Sequence, residues 1–247
     1  IAVTVMKVYA HFREEGGRMF RWRTLLQFGD SWQVVGSVVM KNPGSAYPLT
    51  PNQCVSDMFI LPELQAIDDS EPWYEFKPDI TMSCITRLFG VQSGVIQIFN
   101  LFNIREADLA QALHLYDEAS PCVFTQQTNP HPSSLITHTS SLISPPSSLT
   151  SPPSSLTSPP SSILLSTTEQ DISQLKGPVY LGWGPLGSDG RFRQKAQMIF
   201  DAVKDRMNYL NPDFDSNPFF HPLYLMQYGA KKPEVVEVKR QFEEAIH

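Results

Sequence analysis

The chain has 247 residues, 41% hydrophobic and 11% aromatic, enough for one substantial core or two small ones and ordinary for a globular protein. A net charge of −6 and a pI near 5.5 supply no global basic field, which argues against coating of nucleic acid by phosphate neutralisation. No run approaches the ~18 apolar residues of a membrane helix, and the three widely spaced cysteines suggest neither a disulfide framework nor a zinc site, so a reducing cytoplasm with no metal or other cofactor is expected.

Residues 6–12 and 20–28 read as strands joined at Glu14-Glu15-Gly16-Gly17, a polar pair and two glycines suited to a hairpin turn. Residues 34–40 form a β-branched run that stops at Asn42-Pro43-Gly44, because Pro43 lacks an N–H and Gly44 tolerates positive φ. A polar Asn42 at such a strand end is well placed for chemistry. Residues 45–77, with prolines at 48, 51, 62 and 72, predict a long irregular loop carrying one short helix. Pro78-Asp79-Ile80-Thr81 opens a helix through Phe89, with Asp79 as its cap, Met82, Ile85, Leu88 and Phe89 as its stripe and Gly90 as its stop.

A second strand, residues 95–99, runs into Asn100, and residues 106–119 carry Leu109, Leu113 and Tyr116 at helical spacing. His114 on that helix reads as a surface or lightly buried residue, not a ligand, since no partner sits at i±3 or i±4. A third strand, residues 179–183, ends at Gly184-Pro185 and leads to a helix over residues 191–208 with the stripe Phe192, Ala196, Ile199, Phe200 and Val203. Residues 218–225 read as an aromatic loop holding His221, and residues 233–246 as a final helix on the sheet's edge. The clusters Arg18, Arg21, Arg23 and Arg191, Arg193, Lys195 read as solvated faces.

Between Pro132 and Ile163 the units Ser-Ser-Leu-Ile and Ser-Ser-Leu-Thr recur with period seven, and Ser-Pro-Pro fills each unit from Ser144 to Pro160. Paired prolines exclude a helix and one leucine per unit cannot form a core. Residues 1–120 and 173–247 therefore read as one α/β domain, and residues 121–172 as a disordered Ser/Pro-rich insertion within it.

Taken in order, Asn42-Pro43-Gly44-Ser45-Ala46, Asp79-Ile80-Thr81, Asn100-Leu101-Phe102-Asn103-Ile104-Arg105, Trp183-Gly184 and His221-Pro222-Leu223-Tyr224-Leu225 resemble the bacterial family known as domain of unknown function 1643. More distantly the order is similar to the uracil-DNA glycosylase superfamily. That resemblance implies a three-layer α/β sandwich with a mainly parallel central sheet, preceded by the antiparallel hairpin. It implies catalytic roles for Asn42, positioning water, and His221, stabilising a departing base, with Asn100 reading the base edge. Tyr47 or Tyr224 is the expected aromatic wall. The partner expected is a nucleobase, a nucleotide or single-stranded nucleic acid, with no membrane partner; a non-catalytic small-ligand module on the same scaffold is the alternative. His131-Pro132-Ser133 mimics the glycosylase histidine loop, but it precedes the Trp183 strand and opens the repeat. Asn42 and Asn100 can also serve as caps, His221 as a structural histidine and Trp183 as core.

Replacing residues 132–165 by a short Gly/Ser linker should leave a cooperative thermal melt followed by circular dichroism, since that composition buries too little apolar surface to offset chain entropy. Loss of the cooperative melt would contradict the reading.

Overall fold

The computed structural model describes residues 6–50, 62–90, 92–106, 108–119 and 169–246; the Ser/Pro repeat and His131 lie outside them. Strands β1 (Lys7–Glu15) and β2 (Arg18–Phe28) form the expected hairpin. Gly16 at φ 60° and Gly17 at φ 71° occupy the two left-handed positions of its turn. The ladder pairs Tyr9 with Leu25 but His11 with Trp22, so β2 carries one extra residue. Arg23, at φ 45°, lies in this bulge, and alternation is reset on either side of it.

Strand β3 (Val34–Met40) is followed by α1 (Pro62–Ile67), β4 (Trp73–Phe76), α2 (Ile80–Phe89) and β5 (Gly94–Asn100). Then come α3 (Leu109–Ala119), α4 (Glu169–Ser173), β6 (Val179–Leu181), α5 (Gly190–Val203), α6 (Pro222–Tyr228) and α7 (Pro233–Ala245). Among the described residues the six strands form one open sheet in the order β4-β1-β2-β5-β3-β6. Strands β5, β3 and β6 are parallel, so the ends after Met40, Asn100 and Leu181 share one edge.

The sheet is mixed, not mainly parallel, because the hairpin is built into it: β2 pairs antiparallel with β5, and β1 with β4. Strand β4 lies in the stretch expected to be loop, and its four residues are too few for a period to show. The aromatic loop expected around His221 is helical from Pro222, whose fixed φ suits a first helical position. Helix α4 begins inside the last residues assigned to the insertion, and just beyond it Leu175 is buried in the core.

Helices lie against both faces. On one, Val39, Phe99, Val179 and Leu181 of the parallel strands meet Ala112 of α3 and Phe192, Ala196, Ile199 and Phe200 of α5; α1 covers the antiparallel end through Leu64. On the other, Val38, Met40, Ile96, Ile98 and Tyr180 meet Met82, Ile85, Leu88 and Phe89 of α2, Leu225 of α6 and Val235 and Phe242 of α7. Helix α2 follows its sequence signals: Asp79 accepts from the Met82 N–H at 2.8 Å, and Gly90 ends it at φ 62°.

Gly36 sets how closely α2 approaches β3, since a Cβ there would overlap the Phe89 ring. Gly36→Ala should destabilise the fold by ~1–3 kcal/mol, read as a lowered urea midpoint at unchanged m-value.

Candidate functional site

The parallel register sets Met40 beside Asn100, and the chain leaving β5 continues the pairing as Leu101 N–H donates to Met40 O at 2.9 Å. Beyond these ends, on the α2 side of the sheet, opens a cleft of about 260 Å³. Met40, Ile98, Met82 and Ile85 form its apolar surface. Asn42, Asn100 and His221, from three distant segments, line it together with Asp79 and Thr81 at the start of α2 and Arg21 and Thr24 of β2. The cleft thus lies beyond the carboxyl ends of parallel strands, where open α/β sheets bind ligands.

The loop after β3 is held by its carbonyls. Arg21 donates through Nη2 to Pro43 O, and Arg105 donates to Ser45 O and, through Nε at 2.7 Å, to Ala46 O. Asn42 donates through Nδ2 to Glu106 O at 2.6 Å. Because that partner is an acceptor, the amide nitrogen must face it, which leaves Oδ1 as the remaining acceptor of Asn42. Asn100 is buried at the end of β5, 2% exposed.

His221 is brought to the cleft by a pinned turn. Gly184 N–H donates to Phe219 O at 2.8 Å, the Tyr180 hydroxyl donates to Phe220 O at 2.6 Å, and Phe219 takes φ 43° while its ring packs 4.7 Å from that of Trp183. Such a backbone costs of order 1–3 kcal/mol, and burial of the Phe219 ring offsets it. His221 caps α6: its Nδ1 accepts from the Leu223 N–H at 3.2 Å, so the proton of the neutral ring sits on Nε2. Burial pushes the imidazole below its ordinary pKa; Asp79 opposes this and Lys41 adds to it. His221 is thus a neutral donor at pH 7.

Arg21 and Thr24 are the lining residues that the sequence reading missed. Arg21 and Arg23 are not a solvated face: they are 3% and 4% exposed. An arginine between Phe20 and Trp22 is the signal in the sequence; that β2 has neighbours on both sides, and so buries it, comes from the fold. Burial lowers its pKa to about 10, with Asp79 opposing and Arg105 assisting, so it stays charged at neutral pH. In the second cluster Arg193 is exposed and paired to Asp215, while Arg191, paired to Asp189, and Lys195 are half-buried.

Neither expected tyrosine is among the residues lining the cleft. Tyr47 is 56% exposed under the Arg105 guanidinium, whose carbon lies 3.2 Å from its ring centroid. Tyr224 stacks between Phe220 and Tyr228 on α6 and accepts from Lys232 Nζ at 2.6 Å. Helical i, i+4 spacing gave Tyr224 a nearer aromatic partner than the cleft. Trp183 is core, His114 is exposed, and among the described residues no group of three or more His, Cys, Asp or Glu gathers to hold a metal ion.

Because the His221 pKa is depressed by folding, the unfolded chain takes up the extra proton as pH falls, so the stabilisation is fully present above about pH 6.5 and is lost below it. Urea midpoints measured from about pH 8 to about pH 5 should fall less steeply in His221→Asn, which keeps a capping acceptor, than in the wild type. Equal slopes would contradict the assignment. Comparison of the chain with protein-family models, with curated proteins and with solved structures finds no match.

Proposed function

We propose that the cleft binds a nucleobase, presented free, as a nucleotide or within single-stranded nucleic acid. The observation that carries this reading is the convergence of Asn42, Asn100 and His221 over an aliphatic surface at the carboxyl edge of β3 and β5. A base presents coplanar donors and acceptors on its edge and apolar faces; a carboxamide matches the edge, and Met40, Ile98, Met82 and Ile85 match the faces. A volume of about 260 Å³ lies just below the ~300–1,000 Å³ of drug-sized sites, which suits one ring system.

Glycosylase-like base excision is the catalytic form of this proposal, supported by the motif order that resembles that superfamily. Asn42 Oδ1 would accept a hydrogen bond from the water whose oxygen bonds to the sugar C1′ as the C1′–N bond breaks, and Asn100 would pair with the base edge. His221 Nε2–H would donate to an oxygen of the departing base, which leaves with the electron pair and takes up, through solvent, the proton the water gives up. Binding without catalysis is the second reading. Asp79 favours it: this carboxylate, the one among the described cleft residues, is engaged as the α2 cap by the Met82 amide.

Thermal melts with nucleobases, nucleotides and uracil-containing single strands, alongside a chromatographic assay for released base, test both. At least one of these ligands should raise the melting temperature, and Asn42→Ala, Asn100→Ala and His221→Ala should each remove that rise. The lost cap should also lower the apo stability of His221→Ala by ~0.5–2 kcal/mol. No rise in the wild type, or a rise unchanged in all three variants, would sink the reading; a rise without released base would select binding alone.

A further inference from the structure

The geometry points to an anion subsite built on Arg21, so that the ligand of the cleft carries a phosphate: a nucleotide, not a free base. The inference rests on the nucleobase reading for the heterocycle but stands on different residues for the phosphate.

Arg21 is more than nine-tenths buried on β2, between β1 and β5, and lines the cleft. Its Nη2 is on Pro43 O, while Nε and Nη1 have no hydrogen-bond partner among the described residues. The Phe76 ring lies 5.3 Å from the guanidinium carbon and supplies no hydrogen-bond acceptor of the carboxylate kind. Arg23, two residues on and across the bulge, shows the ordinary solution: its Nη1 rests on the Asp68 carboxylate at 2.9 Å. Arg21 makes no such ion pair among the described residues. Of the charges that act on it, the Asp79 carboxylate, exposed at the rim, outweighs the like charge of Arg105, but it makes no ion pair with the guanidinium.

A buried guanidinium with unused N–H groups is matched by an anion that accepts several hydrogen bonds at once, and phosphate does so with three oxygens. A neutral carbonyl would satisfy one N–H and leave the charge uncompensated. Thr81, at the start of the ten-residue α2, brings a hydroxyl donor to the same cleft.

The test uses the full chain in thermal melts with inorganic phosphate, uridine and uridine monophosphate, against sodium chloride at matched ionic strength. Phosphate should raise the melting temperature in a dose-dependent manner and the nucleotide should exceed the nucleoside. Arg21→Met, which removes the charge and keeps the volume, should weaken phosphate binding at least about tenfold, and Arg21→Lys should weaken it less. Should Arg21→Met fail to fold, 31P line broadening of inorganic phosphate by the wild type, reversed by the nucleotide, reads the same subsite. Binding of uridine with no response to phosphate and no advantage of the nucleotide would overturn the subsite and leave the nucleobase reading standing. Binding of phosphate with no added effect of the uracil ring would keep the subsite and sink that reading. A phosphate response unchanged in Arg21→Met, or no line broadening, would overturn the subsite.

Discussion

The parallel pairing of β3 with β5 is the constraint on which the site depends. Side-chain alternation has period two, so the register that sets Met40 beside Asn100 also sends Val38, Met40, Ile98 and Asn100 to the same face. A one-residue slip would turn Asn100 toward the α3 and α5 core and bring Phe99 into the cleft. Antiparallel pairing on the other side of β5 locks this register, and Gly36 permits the close approach of α2 that covers it.

The polar residues of the cleft first serve the fold. Asn42 ties the loop after β3 to Glu106, Asp79 caps α2 and His221 caps α6. Each of these bonds uses one hydrogen-bonding position and orients the rest: the Asn42 oxygen and the His221 Nε2–H follow from the partner taken by the opposite atom. Preorganisation of this sort is what a binding or catalytic site requires, because groups already fixed cost little further ordering when a ligand arrives.

The two buried arginines of β2 divide along the same line. Burial alone would raise the Asp68 carboxyl, but the His11 ring 3.6 Å away and hydrogen bonds from the Ser70 N–H and Arg23 hold it well below the usual carboxylate range, so Arg23 belongs to a compensated cluster that anchors α1 and β4. Breaking such a pair costs ~3–5 kcal/mol. Arg21 is buried as deeply with a single carbonyl as its hydrogen-bond partner, which is what singles it out as a candidate functional residue.

Local signals in the sequence determined the elements whose causes are local. The Gly16-Gly17 turn, the Asp79 cap and Gly90 stop of α2, the apolar stripe of α5 and the strand ends at Asn42 and Asn100 all depend on residues within one or two turns of each other, so composition and period revealed them. They also brought Asn42, Asn100 and His221 into view as strand-end and loop residues. Only the tertiary structure decided that β2 is an interior strand and that Trp73–Phe76 completes the sheet, since strand pairing joins segments with no shared local pattern. It alone decided the fate of the arginines: regular alternation places Arg21 and Arg23 on one face, and the bulge between Trp22 and Leu25, set by the pairing with β1, sends one into the cleft and the other to Asp68. It likewise turned Tyr47 and Tyr224 away, because Arg105 and Tyr228 reached them first, and a side chain's choice among partners is settled by three-dimensional proximity, which sequence spacing does not carry.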